Sequence, residues 1–432
     1  MDVPTSYFPK VSLKIMTNTI LVTGSTGYIA SRLIPRLLEA GYRVRCLARK
    51  PDRLRARRWF GRVEIVAGDV TRPETLPAAM QGVSAAYYLV HSMASGHGYD
   101  RLDLVSARNF SFAARDAGVK HIIYLGGLSD PADKLALHLR SRIETGKALR
   151  EAGVPVTEFR AGVIVGPGSV SFEMIRFIAE QFPLILGPSW LRHRSQPVAT
   201  PDVLAYLVAA LETPACWGKT IGLGCEKERT YIDVISEYAR IRALERRALL
   251  LPFIPPFVMA FFVDLLTPVE FSYALPLVEG LQNDSLVLDR SPLSLFPTIR
   301  PLDYAEAVRR ALDETNPDEV ERIWLEKGKS HVRMRHEGML VDYREDKNHS
   351  PSVISQGERG LPKIGGVETW ETVENVQGGT LRWQARGKIP GRLWLERGTT
   401  PGGRTSQTVF FMPFGLPGFL FWGLNVRYFS QE

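Results

Sequence analysis

The stretch TILVTGSTGYIASRLIPRLL, residues 19 to 38, leaves this chain few ways to fold. A short apolar strand runs into a glycine turn and then directly into a helix whose apolar residues recur at three- and four-residue spacing. Gly24 and Gly27 let the backbone turn tightly and approach a pyrophosphate, whose charge rests on the free amides at the helix N-terminus. Ala30 fills the third small position, where helix and strand come close. A glycine triplet alone is weak evidence, but a strand before it, a helix after it and a second strand at the right distance confirm a dinucleotide-binding loop.

The rest of residues 18 to about 165 repeats that alternation. Strands are expected at 42–48, 63–68, 84–90, 120–127 and 155–166, with helical spacing between them over ASRLIPRLLEAG, PETLPAAMQG, residues 100–118 and LALHLRSRIETGKALREAG. These are βαβ units, so the fold class is α/β with a doubly wound, Rossmann-type parallel sheet. Where the second strand ends, an NAD site would place an acid for the ribose hydroxyls. The sequence there is LARKPDRL, and Arg49 and Lys50 would meet a 2′-phosphate, which favours NADP; Asp52 is the residue that would restore NAD. Asp69 and the Val70 backbone, in GDV at the end of the third strand, face the adenine position.

From about 167 to 315 the elements become irregular and proline-rich, as in a small lobe that shapes a substrate pocket over the strand ends. DVLAYLVAALET and LDYAEAVRRALDE read as amphipathic helices of that lobe. Residues 316–335 read as a linker or bridging helix. After it TWETVENV, TLRWQARG, RLWLERG and SQTVFFMP alternate at period 2 between glycine-rich turns, which predicts a separate α+β domain built on an antiparallel sheet over 336–432. Trp370, Trp383 and Trp394 fit the core of that sheet better than a ligand box.

Composition removes several function classes. Three cysteines, Cys46, Cys216 and Cys225, offer neither a disulfide framework nor a metal-ligand spacing, so a reducing cytoplasmic compartment and no bound metal are expected. The net charge of +8 is spread over helices, and the basic run RKPDRLRARR reads as a solvated loop beside a phosphate site, not a nucleic-acid surface. Residues 1–17 form a polar extension without the apolar core of a signal peptide. LLLPFIPPFVMAFFVDLL and FFMPFGLPGFLFWGL are broken by prolines and glycines, so buried or interfacial helices are expected there; peripheral contact with a membrane stays open.

TGSTGYIA, GDV, YYLVHSM, YLGGL and RAGVIVGPGS resemble the atypical short-chain dehydrogenase/reductases, the branch that includes NmrA-like proteins and the complex I accessory subunit of this fold. The resemblance spans roughly residues 18–315. GKIPGRLWLERGTTPGGRTSQTVFFMPFGLPG is similar to a domain of unknown function of the DUF2867 type, itself like the SRPBCC helix-grip fold, here shortened. The resemblance implies that Thr23, Gly24, Ser25, Thr26, Gly27, Tyr28 and Ile29 wrap the pyrophosphate and that Arg49, with Lys50, reads the 2′-phosphate. It also sets Asp69 and Val70 beside adenine, and Leu89, Val90 and His91 along the nicotinamide ribose.

The chain departs from that family at the chemistry. The strand that normally ends in a carbonyl-polarising Ser ends in Gly126, Gly127 and Leu128, which leaves only Ser129 for the role. The helical Tyr and Lys of the superfamily are replaced by His138 and Arg142, still four apart on one face. Arg142 would hold ribose hydroxyls without relaying protons. His138 is either a proton donor in place of Tyr or a surface histidine with no chemistry. Two functions follow: an NADP(H)-dependent reductase or epimerase acting on a small apolar molecule, or a non-catalytic NADPH-binding sensor or assembly factor.

Overall fold

The computed structural model describes residues 18–55, 57–92, 98–288, 291–318, 320–324, 330–346, 361–362, 364–373, 380–400 and 404–426. The expected N-terminal extension, and part of the expected linker, lie outside them. Contacts divide the chain into two compact units, the first comprising residues up to Gly162 with Thr200–Gly224 and Ser285–Pro301, the second comprising Val163–Ala199, Cys225–Asp284 and everything from Leu302.

In the first unit the expected alternation is present: β1 (Thr19–Val22), α1 (Tyr28–Glu39), β2 (Arg43–Ala48), β3 (Glu64–Ala67), α2 (Leu76–Met80), β4 (Val83–Tyr88), α3 (Tyr99–Asp116), β5 (His121–Gly127), α4 (Leu137–Arg150) and β6 (Val156–Ala161). A strand at Thr220–Leu223 completes a seven-stranded sheet in the order Thr220–Leu223, β6, β5, β4, β1, β2, β3. Every neighbouring pair is parallel. The strands are apolar runs because both faces are covered; Leu21, Ala86, Ile122 and Val156 share a core with Ala107, Phe110 and Ala148 of the helices. On α1, Ala30, Leu33, Ile34 and Leu37 are the buried stripe that the sequence spacing marked. The chain reverses direction across the sheet between β1 and β4, which opens a crevice at their carboxyl ends.

The second unit contains helices Val170–Gln181, Tyr231–Ile241 and Tyr304–Glu314, and a six-stranded antiparallel sheet. Its order is His331–His336, Met339–Asp346, Thr405–Pro413, Gly391–Thr399, Leu381–Gly387, Val367–Val373. The first hairpin begins inside the range expected to be a linker, and among the described residues no bridging helix follows Glu314. The sheet was expected to stand apart, but its central strands are apolar on both faces. Phe172, Tyr238 and Tyr304 of the lobe share one core with Val341, Trp394 and Phe410 of the sheet. Leu393, Leu395, Trp383 and Phe411 point the other way, where helix Gly415–Asn425 lays Trp422 flat on Phe411 at 4° between ring planes.

Of the two long apolar stretches, one becomes a strand and an 11-residue helix, Pro256–Leu266, and the other a strand and helix Gly415–Asn425 divided at Gly415, whose φ of +59° breaks the run. No described helix is long and apolar enough to cross a membrane.

Candidate functional site

Gly24 carries the geometry of the loop. Its φ is +67°, and a Cβ built on it would stand 2.4 Å from the Leu89 carbonyl oxygen, so only glycine lets β1 and β4 close on each other here. The Gly27 amide donates to the Gly24 carbonyl at 2.7 Å and closes the turn. Helix α1 then starts without a side-chain cap and without an acid in its first turn, which leaves its positive end for an anion. That cradle fits a dinucleotide pyrophosphate.

The side chains of the loop brace it. Thr23 accepts from the Leu89 amide and donates to the Tyr87 carbonyl, and the Ser25 hydroxyl lies between the Val22 and Leu47 carbonyls, so both are buried ties between strands. The Tyr28 hydroxyl meets Thr200 at 2.8 Å, on the helix packed beside α1. Thr26 and Gly27 are exposed and Ile29 is half-buried, so the loop offers a ligand mainly its backbone.

Arg49 and Lys50 are exposed at the end of β2, and the carboxylate of Asp52 is paired with Arg55. The arginine that the sequence did not single out is Arg57. It is only 7% exposed, and its Nη2 donates to the Thr26 carbonyl at 3.4 Å. After β3 Asp69 accepts from the Thr71 amide, and Asn109 donates to the Val70 carbonyl, which fixes both residues in a turn. A Cβ on Gly68 before them would lie 2.7 Å from Leu47 Cδ1, so that the leucine side chain would have to shift.

Leu89, Val90 and His91 follow β4 at the mouth of the crevice, each half-buried. Nδ1 of His91 lies 2.9 Å from Oδ2 of Asp103 on α3, a carboxylate that also accepts from the Ser92 amide at 2.9 Å and from Ser141 at 3.3 Å. Burial raises the Asp103 carboxyl, but the hydrogen bonds from His91 and Ser92 and the Arg142 charge outweigh it and hold the group below its usual range. Burial and the Arg142 charge push the His91 imidazole below its ordinary value despite Asp103. Its Nε2 is buried with no hydrogen-bond partner among the described residues.

His138 lies on α4, 6% exposed, where burial and the neighbouring His91 and Arg142 push it down to about 3. The imidazolium donor considered from the sequence is therefore absent near neutral pH, and so is the surface histidine: the residue is a buried, neutral ring. Arg142 donates through Nη2 to the Leu125 carbonyl, and its guanidinium stands 5.2 Å from the Tyr124 ring. Tyr124 donates to the Arg142 carbonyl, and burial pushes its phenol up to about 12. Ser129 is buried, with no partner for its hydroxyl among the described residues. Asp103 was missed from the sequence, although its place on the buried face of α3 with Tyr99, Ala107 and Phe110 puts a carboxylate at a core position. Among the described residues, no group of three His, Cys, Asp or Glu could hold a metal.

Residues 24–152 match the family model described as NAD(P)H-binding, so the first unit carries an NAD(P)H-binding domain. The chain is 28% identical over 260 residues to a Streptomyces griseus (4-alkanoyl-5-oxo-2,5-dihydrofuran-3-yl)methyl phosphate reductase, covering 56% of this chain and 84% of that protein. It is 25% identical over 225 residues to the photosystem II assembly factor Ycf39 of Trieres chinensis, covering 50% and 67%. Among solved structures, the Citrobacter sp. triphenylmethane reductase complexed with NADP(H) superposes with a TM-score of 0.53 at 22% identity, over 68% of this chain and 99% of that one.

Proposed function

We propose that this chain is an NADPH-dependent reductase acting on a small apolar molecule. Bound NADPH supplies a hydride. The observation that carries the reading is the group of polar atoms kept buried where β4 and β5 end: Nε2 of His91, Nδ1 of His138 and the Ser129 hydroxyl have no partner among the described residues. Buried polar groups without partners cost stability, and such atoms are retained where a ligand satisfies them. In this reading the backbone of Gly24–Ile29 holds the pyrophosphate, Arg57 with Arg49 and Lys50 selects the 2′-phosphate, Asp69 and Val70 flank adenine, and Arg142 holds the ribose. Ser129 polarises the acceptor. Names of reductases among the relatives support the class, and the Ycf39 likeness supports the second reading, a non-catalytic NADPH-binding assembly factor, favoured by the missing Tyr, Lys and strand-end Ser.

The three cysteines are buried free thiols, which fits a reducing cytoplasm. The sheet gripping helix Gly415–Asn425 fits a shortened SRPBCC-like element. Calorimetry tests the cofactor reading: NADPH should bind more tightly than NADH, and Arg57→Ala should cost about 1.5–3 kcal/mol toward NADPH alone. A panel of carbonyls, quinones and dyes tests the chemistry. Tight NADPH binding with no acceptor oxidising it above background would establish the assembly-factor reading instead.

A further inference from the structure

Tyr124, Arg142, His138 and His91 carry exchangeable hydrogens near the crevice, and the first three are unsuited to proton transfer. Tyr124 has its hydroxyl tied to the Arg142 carbonyl, and Arg142 is a permanent cation tied to Leu125. No carboxylate among the described residues hydrogen-bonds the His138 ring, and burial with the His91 and Arg142 neighbours keeps it neutral. His91 differs. Its ring is aimed by Asp103, and Asp103 is itself fixed by the Ser92 amide and the Ser141 hydroxyl.

We propose that His91 and Asp103 form the proton-transfer couple of this site, with His91 Nε2 exchanging a proton with the substrate oxygen and Asp103 acting as a positioning residue. The inference rests on the reductase reading above. An ionised carboxylate only accepts, so the 2.9 Å contact requires the hydrogen on Nδ1 and leaves the lone pair of the neutral ring on Nε2. That nitrogen is buried and without a partner among the described residues, at the end of β4 beside the glycine loop. When a proton arrives on Nε2, the same carboxylate stabilises the resulting cation, as the acid of a catalytic triad does for its histidine.

In the reducing direction, hydride from the reduced nicotinamide forms the new C–H bond at a carbonyl carbon and the C=O π pair moves to oxygen. That oxygen takes the proton from Nε2 of the His91 imidazolium. The nicotinamide is oxidised, the carbonyl becomes an alcohol, and the neutral imidazole is reprotonated from water. The charged and titratable groups facing His91 are Asp103 and Tyr99 from α3, and His138 and Arg142 from α4. Asp103 favours the imidazolium, whereas burial and Arg142 disfavour it and prevail. Reduction should therefore rise as pH falls toward a value below the ordinary histidine range, and alcohol oxidation should rise in the opposite sense.

Long-range nitrogen–proton NMR on histidine-labelled apoprotein reads the couple without any turnover. A neutral His91 protonated on Nδ1 is expected, with Asp103→Asn scrambling the tautomer and lowering the midpoint further, and Asp103→Glu restoring the wild-type pattern. An Nε2-protonated ring in the wild type would overturn the proposal. In turnover, His91→Gln should lower kcat by about 10²–10⁴-fold with little change in KM, lose the pH profile and still retain NADPH. If the wild type reduces an acceptor and His91→Gln does so equally fast, the couple is wrong and the reductase reading stands. If the wild type binds NADPH, shows the expected tautomer and reduces nothing, the reductase reading fails and takes the couple with it.

Discussion

At the scale of single residues, the site divides into what backbone dictates and what burial decides. Gly24 and Gly27 were legible because a tight turn against a phosphate admits few residue types, and the +67° φ at Gly24 confirms the reason. We expect Gly24→Ala to raise the NADPH Kd at least about tenfold, measured by calorimetry, because the new methyl would collide with the Leu89 carbonyl. Arg57 was not legible, and Asp103 was marked only by its helical spacing with Tyr99, Ala107 and Phe110. Nothing in RKPDRLRARR says which arginine turns inward, and a lone Asp in a helix reads as solvated until its neighbours are known. Burial also sets a pH dependence. His121 is pushed down to about 4 and His138 to about 3, both mainly by desolvation, against about 6.5 in the unfolded chain. The unfolded state then binds more protons between those values. Stability from each ring is complete above about pH 6.5 and is lost as pH falls from there to the folded value, by about 1.4 kcal/mol per pH unit. Urea unfolding at several pH values between 4 and 7 should show this slope, and His121→Phe should remove the His121 share of it and leave that of His138.

At the scale of elements, periodicity located the strands and helices from β1 to β6 within a few residues, because parallel strands and amphipathic helices write their burial directly into apolar spacing, but it missed strand Thr220–Leu223 and gave helix Thr200–Ala209 to the lobe, whereas both belong to the first unit. The hairpin His331–His336 and Met339–Asp346 escaped. Its two-residue turn is Glu337–Gly338, with φ of +46° and +78°, a type I′ geometry that sequence reading looks for at Asn-Gly or Asp-Gly. Period-2 alternation in RLWLERG predicted the strand but not that Glu396 is buried. It accepts from Arg382 at 2.6 Å and from Arg322 at 3.0 Å, and Arg382 reaches Asp318 at 2.8 Å. Removing one partner of such a cluster leaves a charge without compensation in the interior. Glu396→Ala should therefore cost about 3–5 kcal/mol in urea unfolding, and Glu396→Leu combined with Arg382→Met should cost less than the single change.

At the scale of the whole chain, neither unit is continuous in sequence. The first takes in Ser285–Pro301, and the second joins Val163–Ala199 and Cys225–Asp284 to strands that close only with Thr405–Pro413. A fragment ending at residue 315 would strip Val341, Trp394 and Phe410 from the core they share with Phe172, Tyr238 and Tyr304. We expect that fragment to bind a hydrophobic dye and to lose the part of the unfolding transition that belongs to the second unit, while the first unit, whose core is retained, still unfolds cooperatively. Synthesis proceeds at about 5–20 residues per second, so helix Val170–Gln181 would leave the ribosome roughly ten seconds or more before the strand Thr405–Pro413 that covers its core. During that interval Phe172 and Phe177 wait uncovered, and the nascent chain becomes a client for whatever binds exposed apolar helices.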